Sequence, residues 1–256
     1  MVLAVDIGNT NVVLGCFEGE EICFLGRLAT DRGATELDYT VQIRNLLKLN
    51  EMSGASFEGA IICSVVPAVT GNMREAVQLL VKKNVMVVGP GLKTGLKIRM
   101  DNPGALGADR VADAVGAVSQ YPLPLITIDM GTATTIGVVD ETKSFIGGMI
   151  VPGVMVSLNA LSGGTSQLPH IALEPPRQPI GKNTVDSMRS GIVYHNAAGV
   201  DGMISRIEEQ LGKKCTVVVT GGLSASIIPY CRHEMTYDPD LLLKGMVVIY
   251  NKNKRK

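Results

Sequence analysis

The stretch Asp6-Ile-Gly-Asn-Thr-Asn-Val-Val13 decides the fold of this chain. Before it lies Val2-Leu-Ala-Val5, an apolar run long enough only for a buried strand, and a second apolar run, Val12-Val-Leu-Gly-Cys-Phe17, continues from its end. Gly8 occupies a position where a β-turn favours a positive φ or a close backbone approach. The sequence therefore predicts a strand, a tight turn and a second strand. Such a turn presents backbone N–H groups to an anion such as phosphate, and Asp6 at its entrance can hold a hydrated Mg²⁺ bound to that phosphate.

The same pattern recurs about half the chain later. Leu125-Ile-Thr-Ile-Asp129 is again an apolar run that ends in Asp, Met130-Gly-Thr-Ala-Thr-Thr135 is again a glycine turn with hydroxyls, and Ile136-Gly-Val-Val139 resumes a strand. One such turn alone is equally compatible with an ordinary hairpin. Two of them together predict a duplicated α/β domain that binds a nucleotide between its halves.

Composition narrows the class of protein. The chain has 256 residues, of which 46% are hydrophobic, so it can form one large domain or two modest ones. Basic and acidic side chains number 24 each, so bulk charge does not indicate a nucleic-acid partner. The five scattered cysteines contain no CxxC pair and fit a reducing cytosol. No apolar run approaches the roughly 20 residues of a bilayer-spanning helix, so we expect a cytoplasmic protein that binds neither nucleic acid nor membrane.

Helical spacing follows the first strands. Thr35 can cap a helix whose apolar stripe we predict to comprise Leu37, Val41, Leu46 and Leu47, with Tyr39 and Ile43 nearby. The first half then reads β-β-β-α-β-α-β, and the second half repeats the three strands around Asp129. Later helices are predicted from about Thr184 to Leu211 and from about Asp240 to Asn251. We place the domain boundary between residues 115 and 116, which gives domains 1–115 and 116–256.

A third polar segment, Gly107-Ala-Asp-Arg110, directly precedes the helical stretch Val111 to Val118. Arg110 and the positive end of the helix dipole can hold an anionic substrate. Asp109, kept ionised by the same field, can accept a proton. Taken in isolation, the segment fits a capping Asp beside a surface Arg better than it fits a catalytic pair.

Taken together, these stretches resemble the type III pantothenate kinases, members of the superfamily of acetate and sugar kinases, Hsp70 and actin. The resemblance covers essentially the whole chain, from Asp6-Ile-Gly-Asn-Thr-Asn11 to Asp238-Pro-Asp-Leu-Leu-Leu-Lys-Gly245. The order and spacing of the intermediate motifs carry it: Lys93-Thr-Gly95, Asn102-Pro103, Gly107-Ala-Asp-Arg110, Asp129-Met-Gly-Thr-Ala-Thr134, Gly147-Gly148, Pro152-Gly153, Ile180-Gly-Lys-Asn-Thr184 and Thr220-Gly-Gly-Leu223.

The resemblance implies a fold and an activity. The fold would be two duplicated actin-like (ribonuclease H-like) α/β domains with a nucleotide cleft between them. The activity would be ATP-dependent phosphorylation of pantothenate to 4′-phosphopantothenate, the first step of coenzyme A biosynthesis. The resemblance also implies a homodimer.

The resemblance further implies roles for particular residues. Asp109 would be the general base, Asp6 would lie on the Mg²⁺ side, and Asp129 would bind a monovalent cation, K⁺ or NH₄⁺. The ATP-binding residues would be Asp6, Ile7, Gly8, Asn9, Thr10, Asn11, Val12, Val13, Thr132, Gly221 and Gly222. The pantothenate-binding residues would be Met100, Gly107, Ala108, Asp109, Arg110 and Thr184.

Two positions depart from the family pattern. Met100 stands where the family usually has a Tyr that contacts substrate, and a Met cannot donate a hydrogen bond. His195 and Asn196 stand where the family usually has a Gly and an aromatic residue. A kinase for another small hydroxy acid therefore stays open, as does a nucleotide-binding accessory or regulatory relative without kinase activity. Intact Asp6, Asp109 and Asp129 argue against the second alternative.

Overall fold

The computed structural model of this chain describes residues 1–52 and 55–254. It divides into two compact units, each discontinuous along the chain. The first unit contains Met1–Leu96, Asp101–Gln120 and Asp240–Lys256, and the second contains Lys97–Met100 and Tyr121–Pro239. The single boundary between residues 115 and 116 stays a prediction, and these units differ from it chiefly in where the C-terminal helix belongs.

The regular elements follow the predicted order closely. The strands are β1 (Val2–Ile7), β2 (Asn11–Glu18), β3 (Glu21–Ala29), β4 (Gly59–Ser64), β5 (Val85–Val87), β6 (Lys97–Ile98), β7 (Leu125–Met130), β8 (Ala133–Val139), β9 (Ser144–Pro152), β10 (Thr216–Thr220) and β11 (Thr236–Tyr237). The α-helices are α1 (Glu36–Leu49), α2 (Pro67–Val81), α3 (Ala108–Gln120), α4 (Val154–Gly163), α5 (Thr184–Leu211), α6 (Ser224–Ile227) and α7 (Leu241–Asn253). None of the helices in the described ranges has the length and apolar character needed to cross a bilayer.

The sheet of the first unit has the strand order β3-β2-β1-β4-β5. Strands β1, β2 and β3 form an antiparallel meander, and β4 runs parallel to β1. The central strands are continuous apolar runs with almost no exposed surface, as expected for strands covered on both faces. Helices α1 and α2 bury their apolar faces against this sheet.

Helix α1 begins as predicted but turns a different face to the core. Thr35 and Asp38 form a reciprocal capping box at its start. The buried residues are Tyr39, Ile43 and Leu47, which recur every four positions. Leu37 is 63% exposed and Val41 37% exposed, so their placement on the buried stripe was wrong. At about 100° per residue, positions two before and two after Tyr39 point away from its face.

Helix α7 joins the first unit because it packs closely on α3. The crossing point is made by Gly116 and Gly245, where a β-carbon on either residue would overlap the backbone of the other helix. Such an approach needs glycine on both sides. The last helix of the chain therefore completes the unit that contains the first strand.

The sheet of the second unit has the order β11-β10-β7-β8-β9-β6 and repeats the pattern of the first. Strands β7, β8 and β9 form an antiparallel meander, and β10 runs parallel to β7. Asp6 is paired with residues of β2 and β4, and Asp129 is paired in the same way with residues of β8 and β10. The duplication inferred from the two turns is thus present in the topology. Helices α4 and α5 pack against the second sheet.

Candidate active site

The first turn joins β1 to β2 and is closed by a hydrogen bond from the Gly8 N–H to the Asn11 carbonyl, 2.9 Å long. Gly8 has no positive φ, and the alternative expectation holds instead: a β-carbon there would lie 3.2 Å from the Asn11 carbonyl oxygen. Asn9 and Thr10 are exposed at the tip of the turn, and Asp6 is half-buried at its entrance. The turn thus exposes polar side chains above a fixed backbone.

The predicted ATP segment contains two kinds of residue. Ile7 and Val12 have no exposed surface, and their side chains belong to the core of the first unit. Only their backbone is available to a ligand. Gly8, Asn9, Thr10 and Asn11 form the accessible part, and Val13 is half-buried.

Asp109 lies in the first turn of α3, just after Gly107 and Ala108. Its Oδ1 accepts a hydrogen bond of 2.8 Å from the Arg110 backbone N–H. Burial lowers the pKa of the Arg110 guanidinium, and the neighbouring Asp109 opposes that shift. A carboxylate and a partly desolvated guanidinium therefore occupy the same helix end, where an anionic substrate is also stabilised.

The buried thiol of Cys63 is next to Asp6 in the sheet and is influenced by the charge of Asp109. Cys63 pairs with Asp6 across β1 and β4, and burial raises the pKa of its thiol well above the usual range, with Asp6, Asp109 and Asp113 adding to the shift. Helix α3 packs against β4, the strand that pairs with β1, so α3 lies on the sheet whose strand β1 carries Asp6. Asp113, only 3% exposed, was missed by the sequence analysis. Its position one helical turn after Asp109 was the available signal.

The second turn joins β7 to β8 and is held from two sides. The Gly131 N–H donates to the Ala133 carbonyl at 3.1 Å, and the Gly153 N–H donates to the Thr132 carbonyl at 3.2 Å. The Leu223 N–H donates to the Met130 carbonyl at 3.2 Å. Thr132 itself is exposed. The start of α4 and the segment after β10 therefore fix the turn that carries Thr132.

Gly221 lies directly against Asp129. Its φ is +96°, and a β-carbon there would lie 2.5 Å from the Met130 nitrogen and would overlap the Asp129 carboxylate. Gly222 has open space where its β-carbon would be. The structure thus brings Asp129, Thr132 and the Gly221–Gly222 turn together in the second unit.

Thr184 and Met100 are also in the second unit. Thr184 is the exposed first residue of α5, after Asn183, whose side chain accepts a hydrogen bond from the Asp186 N–H at 2.9 Å. It lines a cavity of about 750 Å³ between α4 and α5, and His195 lines the same cavity. Met100 is half-buried at the end of the segment that contains β6.

The oxygen ligands at the two turns are few, so a cation bound there would take most of its ligands from water and substrate. Among the described residues, no group of three or more His, Cys, Asp or Glu side chains could enclose a metal ion. Mg²⁺ in kinases is commonly held by one or two carboxylates together with water and substrate phosphates. Asp6 fits that requirement. Asp129 offers carboxylate oxygens at the corresponding position of the second turn.

Comparison with solved structures shows the fold. Component A of (R)-2-hydroxyglutaryl-CoA dehydratase from Acidaminococcus fermentans superposes with a TM-score of 0.56 at 15% identity, covering 97% of this chain and 96% of that chain. The ROK hexokinase from Thermus thermophilus gives a TM-score of 0.51 at 13% identity, covering 99% of each chain. The predicted actin-like α/β fold is confirmed.

Sequence comparison identifies the family. The family model described as type III pantothenate kinase matches residues 2–206. A type III pantothenate kinase from Halalkalibacterium halodurans is 40% identical over 253 residues, which are 99% of this chain and 100% of that protein. One from Exiguobacterium sp. (strain ATCC BAA-1283 / AT1b) is 40% identical over 255 residues, which are 100% of both. Identity at this level along the whole length of both chains means that this chain belongs to the type III pantothenate kinase family.

Proposed function

We propose that this chain transfers the γ-phosphoryl group of ATP to the primary hydroxyl of pantothenate, giving 4′-phosphopantothenate for coenzyme A biosynthesis. The observation that carries the proposal is 40% identity, over the full length of both chains, to proteins named type III pantothenate kinase. The placement of Asp6 on β1 and Asp109 on α3, which packs against the neighbouring strand β4, supports it.

In this proposal Asp109 accepts the proton of the pantothenate hydroxyl as its oxygen attacks the γ-phosphorus. The hydrogen bond from the Arg110 N–H fixes the orientation of the Asp109 carboxylate and leaves the other oxygen available for the proton. The Arg110 guanidinium, with Gly107 and Ala108, orients the substrate through charge-assisted contacts. Desolvation strengthens such contacts, and the lowered pKa of Arg110 reflects that desolvation.

The two turns would bind the nucleotide. Backbone N–H groups and the side chains of Asn9 and Thr10 contact phosphate at the first turn, and Thr132 contacts phosphate at the second. Gly221 and Gly222 would lie next to the adenosine of the bound ATP. Mg²⁺ near Asp6 and K⁺ or NH₄⁺ near Asp129, when bound, would neutralise the negative charge on the phosphates.

Thr184 and Met100 complete the proposed pantothenate contacts. Thr184 offers an exposed hydroxyl at the N-terminus of the long helix α5, where an anion is stabilised. Met100 offers an apolar surface in place of the hydrogen bond that a Tyr would donate. The pantothenate site would therefore be more apolar here than in relatives with a Tyr.

We also propose that the chain works as a cytoplasmic homodimer. Large apolar side chains of the second unit are exposed: Ile150 at 65% and Ile180 at 80%, with Val156 and Leu161 on α4 at 44% and 40%. Where such side chains are adjacent on the surface, they are candidates for a subunit contact. Sedimentation at micromolar concentration should give twice the mass of 27.1 kDa.

A coupled assay tests the proposed activity. Purified chain, ATP, Mg²⁺ and K⁺ are incubated with pantothenate or with other small hydroxy acids, and ADP formation is followed together with mass spectrometry of the product. We expect phosphorylation of pantothenate with the highest kcat/KM of the panel. A higher kcat/KM for another hydroxy acid would assign the chain to that substrate, and ATP binding without any transfer would indicate an accessory protein.

A further inference from the structure

The segment that follows β3 contacts the first turn directly. The Thr30 hydroxyl donates to the Gly8 carbonyl at 2.7 Å, and the Thr30 N–H donates to the Thr10 carbonyl at 3.0 Å. Two hydrogen bonds therefore join the end of β3 to the turn proposed to bind phosphate. The residues directly after Thr30 therefore lie next to that turn.

The segment is also anchored from behind. The Tyr39 hydroxyl, on a side chain with no exposed surface, donates to the Asp31 carbonyl at 2.6 Å and accepts from the Asp31 N–H at 3.1 Å. The Asn72 side chain donates to the Ala34 carbonyl at 2.9 Å. Because Tyr39 and Asn72 hold this segment near its two ends, the backbone of residues 30–34 has a defined position relative to the turn.

Arg32 lies between these anchors, and its side chain reaches the turn. Its Nη2 donates to the Asn9 Oδ1 at 3.4 Å. A guanidinium has five N–H donors in a planar fork that matches phosphate oxygens. The hydrogen bond from one of these donors to Asn9 places the guanidinium beside the exposed tip of the turn, where Asn9 and Thr10 are accessible.

Arg32 carries a positive charge that the turn itself lacks. Residues 7–13 carry no formal charge, and Asp6 at the entrance is acidic, so the turn itself provides no cationic side chain for a polyphosphate. Arg32 supplies one at hydrogen-bond distance from the turn. A charge-assisted hydrogen bond to phosphate is roughly twice as strong as a neutral one.

We propose that Arg32 is a further phosphate-binding residue, whose guanidinium contacts the phosphate chain of ATP at the first turn. The inference rests on the proposed function, because it takes ATP as the ligand of that turn. It differs from a purely supporting role, in which Arg32 would only hold the Asn9 side chain. A supporting role needs a hydrogen-bond donor, whereas phosphate binding needs the positive charge.

Three variants separate charge from hydrogen bonding. Arg32→Gln keeps a donor for Asn9 and removes the charge, and Arg32→Lys keeps a charge without the planar fork. Arg44→Gln removes another exposed arginine, from α1, and serves as the control. Dissociation constants for ATP and for adenosine are measured by calorimetry, and KM for pantothenate is measured in the coupled assay.

Arg32→Gln should weaken ATP binding about tenfold to a hundredfold, as expected for a charge-assisted hydrogen bond. Adenosine binding and KM for pantothenate should stay unchanged, Arg32→Lys should recover part of the ATP affinity, and Arg44→Gln should match the wild type. If Arg32→Gln binds ATP as tightly as the wild type, or loses as much affinity for adenosine as for ATP, this inference is wrong and the proposed function is unaffected. A wild-type protein that does not bind ATP would overturn the proposed function and this inference with it.

Discussion

Replacing Gly221 by alanine should disturb Asp129 more than it disturbs the fold. A β-carbon at this position would lie 2.5 Å from the Met130 nitrogen, whereas ordinary contacts begin at 3.4 Å, so the turn or the Asp129 carboxylate must move. A misplacement of about 1 Å can cost about 100-fold in rate. We therefore expect Gly221→Ala to lower kcat by roughly tenfold to a hundredfold and to raise the K⁺ concentration needed for half-maximal activity.

The same change also costs stability, through the positive φ of Gly221 and through the overlap with the Met130 backbone, and the first of these can be given a magnitude. Gly221 has φ +96°, and a left-handed conformation costs a residue with a β-carbon roughly 1–2 kcal/mol. For a chain of this size, that loss lowers Tm by roughly 2–8 °C. The fold should therefore survive at assay temperature, and the loss of rate can be measured on folded protein.

Gly212 provides the matched control. It ends α5 with φ +69°, and no atom lies within 4 Å of the place its β-carbon would take. Gly212→Ala has the same cost of a positive φ without the overlap, so it should lower Tm by less than Gly221→Ala while kcat stays at the wild-type value. Both quantities are obtained from a thermal unfolding curve and from initial rates at increasing K⁺. Wild-type kcat and K⁺ dependence in Gly221→Ala would refute the link between this glycine and Asp129.

Three further predictions concern the proposed ligands. If Asp129 binds a monovalent cation, initial rates at constant ionic strength should fall sharply when K⁺ is replaced by Na⁺ or Li⁺, and equal rates in all three salts would count against that role. Met100→Tyr should lower KM for pantothenate about twofold to tenfold, the worth of one neutral hydrogen bond; an unchanged or higher KM would mean that the pocket is built around the Met. Arg110→Ala should raise KM for pantothenate much more than it lowers kcat, and a pure kcat defect would contradict its role in substrate binding.

The sequence allowed the strands and turns around the two aspartates to be predicted because their signals are local. An apolar run that ends in Asp, followed by a glycine and hydroxyl residues, specifies a strand and a turn within about ten residues. Thr35 likewise gives a local capping signal, and α1 starts there. Leu37 and Val41 were misplaced because the phase of a helix is set by the sheet it packs on, and the helix itself has apolar residues on more than one side.

Features that depend on distant segments could not be predicted in this way. Helix α7 joins the first unit through the crossing of Gly116 and Gly245, which lie far apart in the sequence. The pairing of Cys63 with Asp6 was not predicted either, because it depends on how β4 pairs with β1. Arg32 was missed for the same reason, since its bond to Asn9 depends on how β3 pairs with β2.

The most direct test of the proposed mechanism is kcat for pantothenate phosphorylation by Asp109→Asn. The change keeps the size of the side chain and its ability to accept a hydrogen bond from the Arg110 N–H, but it removes proton acceptance. We predict a kcat lowered by about 10²–10⁴, the usual effect of losing a general base, with ATP affinity measured by calorimetry nearly unchanged. A variant that keeps more than about a tenth of the wild-type kcat, a loss smaller than a missing base produces, would mean that Asp109 only stabilises the start of α3 and is not the base.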